Sequence, residues 1–553
     1  VARHDPPAPA RLVAYVVAAE STEVDGDALR EHLAARLPAH MVPSAFVSIP
    51  AVPTTPAGKV DARALPAPAA DAVADDALPG TPAEEALAAV WAGVLGVEAI
   101  GVRDNFFALG GDSILALQVV SRAARAGLRL TARQLFQHQT VAELARVAVP
   151  VDDGNAAAAE HGPVVGPAPL TPIQRWFFAR ELADAHHWNM AALFAAAEPV
   201  DAAALERAVS AIVEHHDALR LRFSRGQDGA WTQTFAAPDG APPVETVDFT
   251  AFAGDALSRV IEAHAAGVQA GLDLHLGPIA RVVLYRGGAG EPDRLLWVIH
   301  HLAVDGVSWR VLLEDLGTAY HQVREGVEIH LPPRTTSLRR WAERLAAWAA
   351  SAEARAEAAW WLARPWQRAA PIPAGRAAAD DLEGDARTVE AELDEEATRA
   401  LLTEVPPVYG TQVNDALLAA LARVLAGWTG GSTVAVEMEG HGREELFDGV
   451  ELSRTVGWFT SGFPVLLDAP AGDAGALLRA AKETLRAVPR RGVGFGALRW
   501  LADDAGLRAR LAEIPSPEVV FNYLGQLGGG DGDAWLAGAR ESAGPDHSPR
   551  ARR

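Results

Sequence analysis

"RLLWVIHHLAVDGVSWRVLLEDL" occupies residues 294–316. Its first eight residues form an apolar run that ends in two histidines. Such a run reads as a strand of the kind buried on both faces. After a short loop, Trp309, Leu312, Leu313, Leu316 and Tyr320 recur at helical spacing. His300, His301 and Asp305 therefore fall on a strand-to-helix connection, where a rigid scaffold aims side chains at ligands. Two other His-His pairs exist, His186-His187 and His215-His216. The second reads as a helix end leading into a strand, with its rings packed or exposed. The first has only Asp184 upstream. Asp305, four residues beyond His301, can orient an imidazole or hold the loop through an arginine.

Composition narrows the chemistry. A chain of 553 residues exceeds one core and suggests three or four domains. Its net charge of −22 argues against nucleic acid or an anionic membrane as the main partner. No apolar run approaches the roughly 18 residues of a membrane span. "VARHDPPAPA" at the start is no signal peptide and lacks an initiator Met, so the expectation is a cytoplasmic piece of something longer. There is no cysteine, which excludes disulfides, thiolate metal sites and a two-thiol racemase. Only two lysines occur, Lys59 and Lys482. A pyridoxal-phosphate enzyme needs a Schiff-base lysine; Lys482 reads as lying on an exposed Ala/Arg-rich helix.

Two stretches rich in Pro, Ala, Gly and Asp, 65–82 and 149–172, read as linkers. Before the first, "RLVAYVVA" and "AFVSIPAVP" read as strands around a helix at 25–38, a small α/β unit. Between them lies a helical bundle. Thr81-Pro82-Ala83-Glu84 forms a capping box with Pro at the first helical position. Leu87, Val90, Trp91, Val94 and Leu95 form the apolar face, and Gly96 ends the helix. A second helix follows "DNFFALGGDS" and runs to about Ala126; a third covers "TVAELARV". The last segment alternates strands and helices over a length that suggests two lobes.

Three further stretches carry chemistry. In "FFALGGDSILAL" (106–117), Asp112 can cap a helix and Ser113 sits at its N-terminus, where a phosphate ester would meet unpaired N–H groups. Taken alone, it is an ordinary capped helix. In "STVAVEMEGHGREE" (432–445), Val434, Val436 and Met438 alternate with Glu437, Glu439 and His441. A strand would put both carboxylates and the imidazole on one face; parity does not choose between the glutamates. "LPAHMVPSAFVSIPAVPTTPAGKVDARALP" (37–66) ends in a Gly-Lys loop at Lys59.

These stretches together resemble a segment of a non-ribosomal peptide synthetase. "FFALGGDSILAL" resembles the attachment site of a peptidyl carrier (thiolation) domain, which implies 4′-phosphopantetheine on Ser113. Residues 37–66 resemble the C-terminal subdomain of an adenylation domain. Lys59 matches the lysine that contacts the acyl-adenylate, although Ala57 replaces the usual Asn and the large adenylation core is absent. "HHLAVDG" resembles the HHxxxDG signature of the condensation-domain superfamily, which has a chloramphenicol-acetyltransferase fold. "PLTPIQRWFF", "SWRVLLEDL", "EMEGHGREE", "RTVGWFTSGFPVLL" and "FNYLGQ" resemble its epimerization subtype. The resemblance implies an incomplete adenylation domain at 1–66, a carrier at 78–148 and an epimerization domain at 165–553, with lobes meeting near 335. Members continue for tens of residues beyond "FNYLGQ", which implies a shortened C-terminal lobe here.

The resemblance makes His301 and Glu439 the catalytic pair. It gives supporting places to His300, Asn522, Tyr523 and Arg454, and makes Asp305 mainly structural. The implied reaction is L-to-D epimerization at Cα of an aminoacyl or peptidyl thioester, without metal or pyridoxal phosphate. Imidazole and a buried carboxylate can exchange protons near neutrality. Asn522, Tyr523 and backbone N–H groups are candidate donors to the enolate oxygen. Implied partners are an upstream adenylation core, a downstream condensation domain and a phosphopantetheinyl transferase. Two alternatives remain: amide formation by the same His301, or a non-catalytic carrier and docking fragment.

Overall fold

The computed structural model describes residues 78–107, 109–151, 162–238, 244–288, 290–373, 382–470, 472–525 and 535–551. Of the first 77 residues it describes 2–3, 11–17, 29, 33, 43, 45–49, 51–53 and 65–66. There, β1 (Arg11–Val16) runs parallel to β2 (Ala45–Ser48), with Val13 opposite Ala45. Lys59 and most of the helix expected at 25–38 lie outside the described residues.

The middle unit is a helical bundle. Helix α1 (Pro82–Leu95) starts on a closed capping box: Glu84 N–H donates to Thr81 Oγ1 (3.2 Å) and Thr81 N–H to Glu84 Oε2 (3.0 Å). Gly96 ends it with φ 68°, a conformation that suits glycine. Helices α2 (Ser113–Arg125), α3 (Ala132–Gln137) and α4 (Val141–Val147) pack on it around Trp91, Phe106, Val119, Leu135 and Leu144. The sequence reading missed α3, because six residues are too few for helical periodicity to register. The stretch 149–172 is not all linker. Val149–Pro150 pairs with Leu128–Arg129, and Gly166–Ala168 pairs with Trp231–Phe235. Short Gly/Pro-containing strands give little periodic signal.

The large unit has two lobes. The N-lobe sheet contains β3 (Asn189–Ala196), β4 (Glu245–Asp248), β5 (Ala280–Arg286) and β6 (Arg294–His300) in the order β4-β5-β6-β3. Every residue of β6 is buried. Leu295, Trp297 and Ile299 face the core shared with α5 (Ala202–His215) and α7 (Gly306–Arg324). Leu296 and Val298 face a second core under α6 (Gly254–Gln269). Burial on both faces explains the unbroken apolar run.

The C-lobe sheet has β7 (Thr433–Gly440) between β8 (Ser461–Asp468) and β9 (Val520–Phe521). Strand β7 runs antiparallel to β8, with Glu439 opposite Gly462, and parallel to β9. Val434, Val436 and Met438 are buried, as their alternation predicts. Beyond β9 the chain returns to the N-lobe, where Leu536–Gly538 pairs with the free edge of β3. Among the described residues, no helix is long and apolar enough to cross a membrane.

Candidate active site

His301 begins a short turn between β6 and α7. Its Nδ1 lies 2.8 Å from the Val304 carbonyl. A carbonyl only accepts, so Nδ1 carries the proton and Nε2 keeps its lone pair. Burial moves the ring's pKa below the ordinary histidine value. His300 is fixed otherwise. Its Nδ1 accepts from Leu302 N–H (3.1 Å), so Nε2 donates to the Ala185 carbonyl (2.9 Å). Burial pushes it down to about 3, which makes it a neutral structural group.

Asp305 caps α7 and does not orient His301. Its oxygens accept from Ser308 N–H (2.7 Å), Arg443 Nη2 (2.9 and 3.1 Å) and Phe459 N–H (3.1 Å). Arg443 also donates to the carbonyls of Leu452 and Thr455. This buried cluster ties the N-lobe loop to the C-lobe. Sequence reasoning anticipated an arginine partner but did not identify Arg443.

His301, Glu437, Glu439 and Asn522 line one cavity of about 600 Å³. Its remaining wall is largely apolar, including Trp176, Trp188, Trp341, Trp458 and Phe459. Burial, with Glu437 beside it, raises the Glu439 pKa above the usual carboxylate range. Burial raises Glu437 as well, against the pull of Arg180. Asn522 Nδ2 donates to Glu439 Oε2 (2.7 Å), a distinction that strand parity could not supply. His441 departs from the expected face. It lies past the end of β7, with Nε2 3.3 Å from Glu444 and Nδ1 accepting from Arg443 N–H.

Ser113 opens α2, while the capping is done by Asp112, whose Oδ1 accepts from Ile114 and Leu115 N–H (2.9 and 2.8 Å). Gly111 packs so closely that a Cβ would come within 2.4 Å of the Phe106 ring. The fold thus makes no capping demand on the Ser113 hydroxyl. That placement, at a helix start with N–H groups near, fits a phosphate ester. Ser113 borders a small crevice together with Tyr523, Pro406 and Thr411. Tyr523 therefore sits on the Ser113 side, and it does not line the large cavity. Burial, reinforced by Asp112, pushes its phenol up to about 12. Asn522, by contrast, lines the cavity and spends one of its two amide N–H groups on Glu439. Tyr523 on the Ser113 side and Asn522 in the large cavity are consecutive residues of the chain.

Arg454 is placed away from the cavity. It pairs with Asp315 and Glu314, and its Nη1 donates to Ser121 Oγ on carrier helix α2 (3.1 Å). Arg125 pairs with Glu314 beside it. Arg454 thus contacts the carrier helix and not the cavity. His216 Nε2 lies 2.9 Å from the same Asp315. His215, His216 and Asp315 form the one metal-type cluster among the described residues, but the Arg454 guanidinium already neutralises its carboxylate. Lys482 is half-buried, not exposed, and donates to the Tyr409 carbonyl (2.7 Å).

The sequence reading missed one whole wall. Asp546 and His547 line the cavity, brought there by the segment after Leu536–Gly538. His547 forms a bridge with Trp188, their rings 4.3 Å apart. Gln269, fully buried, donates to Asp546 Oδ1 (3.1 Å) and the Ala543 carbonyl (3.0 Å), and receives Asn189 Nδ2 (2.9 Å). The "HHWN" stretch at 186–189 could have signalled this site through Trp188 and Asn189, but its histidines drew attention instead.

Comparison with known proteins agrees with this layout. The condensation-domain family matches residues 164–543, the phosphopantetheine attachment site 85–148, and the AMP-binding enzyme C-terminal domain 1–59. A linear gramicidin synthase of Brevibacillus parabrevis is 48% identical over 95% of this chain, which spans 7% of that protein. Chondramide synthase cmdD of Chondromyces crocatus is 44% identical over 95% of the chain, here 13% of the relative. The chain thus covers a small part of these relatives. Among solved structures, the epimerization domain from the third module of tyrocidine synthetase B aligns with TM-score 0.66 and 36% identity, over 71% of this chain and 87% of that one. The X-domain from teicoplanin biosynthesis, at 20% identity and TM-score 0.51 over 61% of this chain and 74% of that one, shares the fold.

Proposed function

Since this chain belongs to the condensation-domain family, as a non-ribosomal peptide synthetase segment with its carrier domain attached, we propose that its large domain inverts Cα of a carrier-bound aminoacyl or peptidyl thioester, from L to D. One observation carries the reading. Two ionisable groups on different lobes, His301 and Glu439, line the same cavity. Burial favours a neutral His301 with Nε2 open, and burial with Glu437 nearby favours a protonated Glu439. A phosphopantetheine arm on Ser113, when bound, presents the substrate as a thioester and so acidifies Cα–H. His301 Nε2 takes that proton from one face, and Glu439 gives a proton to the other. Asn522 holds the Glu439 carboxyl for the transfer. The likeness to a solved epimerization domain supports this subtype over amide formation. An adenylation core upstream, a condensation domain downstream and a phosphopantetheinyl transferase are the partners this role requires.

The test is Cα deuterium exchange in D₂O with an L-aminoacyl group loaded on the holo chain. His301→Ala and Glu439→Gln should each lose about 10²–10⁴ in rate, with Ser113 loading intact. Absence of exchange in the wild type, with amide formation when an acceptor carrier is added, would replace epimerization by condensation. Unchanged exchange in both variants would remove the site.

A further inference from the structure

We infer that Trp458 is a positioning residue for proton transfer: its indole face stabilises the protonated form of His301, and the Asp305–Arg443 cluster holds it there. The inference rests on the reading of His301 as the group that accepts the Cα proton. In that step the Cα–H bond breaks, the proton goes to Nε2, and the electron pair moves toward the substrate carbonyl. A positive imidazole then stands in a largely apolar cavity.

The charged and titratable groups around it include Arg499, which lines the same cavity, and the neighbouring His300, which burial keeps neutral. Asp305 lies on its own loop with Arg443 against it. His547 and Asp546 come from the C-terminal segment, and Glu437 and Glu439 from β7. Among the described residues, no carboxylate oxygen is hydrogen-bonded to the ring of His301. What does touch the ring is Trp458, at 4.2 Å between centroids and 31° between planes. An aromatic face at that distance attracts a cation, indole more than phenyl, and more strongly in a site shielded from water.

Two observations indicate that this indole is placed for the histidine. First, Trp458 is 4% exposed and its indole N–H has no acceptor among the described residues. A phenylalanine would avoid leaving that buried donor unpaired, so packing alone does not favour tryptophan. Secondly, both peptide neighbours of Trp458 are clamped by the motif that carries His301. Phe459 N–H donates to Asp305 Oδ2 (3.1 Å), and Gly457 N–H donates to Ser308 Oγ (3.1 Å). Trp176 and Phe177 meet the indole edge-on at 6.2 Å. The aspartate of the His-His-loop-Asp motif thus acts on the histidine through a tryptophan 153 residues later in the chain than Asp305.

The test is the pH–rate profile of Cα exchange for the holo chain with Trp458→Leu and Trp458→Phe. Removing the face that favours the imidazolium lowers the His301 pKa. In Trp458→Leu the acid limb should therefore move down by up to about one pH unit, with kcat lower on the order of tenfold and KM little changed. Trp458→Phe keeps an aromatic face and should retain most of the rate, with a smaller shift. A Trp458→Leu limb that coincides with wild type, or equal loss in the two variants, overturns the inference. Exchange that survives His301→Ala removes the reading of the site, and this inference with it. Exchange lost in His301→Ala but indifferent to Trp458 removes this inference alone.

Discussion

Replacing Asp305 by asparagine should destabilise the large domain by about 3 kcal/mol. Asp305 is 4% exposed and its partner Arg443 has a fully buried side chain. Both carboxylate oxygens are used, by Arg443, Ser308 and Phe459. Asparagine keeps the shape but removes the charge, and it turns N–H groups toward the guanidinium and the Phe459 N–H. Breaking a buried ion pair by removing one partner costs about 3–5 kcal/mol. The low end applies because Arg443 Nη1 keeps the Leu452 and Thr455 carbonyls. The assay is urea unfolding followed by tryptophan fluorescence. Of the fifteen tryptophans all but Trp91 lie beyond residue 164, so the signal reports the large domain. Under conditions where the variant is folded, exchange should fall with the acid limb displaced, as for Trp458→Leu. A loss of stability under about 1 kcal/mol would refute the structural role assigned to the pair. Full stability with abolished exchange would mean that Asp305 acts on the chemistry directly.

Three other outcomes follow from the geometry. Arg125→Glu should weaken carrier docking and lower exchange by up to about fivefold, as befits a surface ion pair; the exchange rates of wild type and variant decide this. Gln269→Ala should loosen the segment that brings Asp546 and His547 to the cavity, seen as faster backbone amide exchange at 543–548 by mass spectrometry. It removes hydrogen bonds from buried groups that cost about 1–3 kcal/mol each when unpaired. In the wild type, the base must be neutral and the acid protonated. Burial lowers His301, so exchange should fall with acid at a midpoint below the ordinary histidine value of 6.5; Glu439 is raised, so the alkaline limb should lie above 4.5.

Much of this was legible in the sequence where local pattern and burial agree. The apolar run at 294–301 specified a strand covered on both faces, and the alternation at 434–439 specified a strand with one buried face. The capping box at Thr81 marked its helix to the residue. What stayed hidden is what separates in sequence but meets in space. Nothing local links Asp305 to Arg443 or Trp458, or Arg454 to a carrier helix some 330 residues earlier. The return of residues 535–551 to the N-lobe was invisible because a three-residue strand after a Gly/Asp-rich stretch has no period to read. His441 shows the limit of parity: alternation holds only while the strand lasts, and β7 ends at Gly440.

The most direct test of opposed proton transfer is the isotope content of the first product. The holo chain, loaded with an L-aminoacyl group and placed in D₂O, is quenched before equilibrium, and the released amino acid is resolved into enantiomers. If His301 removes the proton and Glu439 delivers another from the opposite face, the earliest D-enantiomer carries one deuterium at Cα while the remaining L-enantiomer is still protiated. A D-enantiomer that keeps its original protium would contradict the account, because one group would then have carried the same proton across.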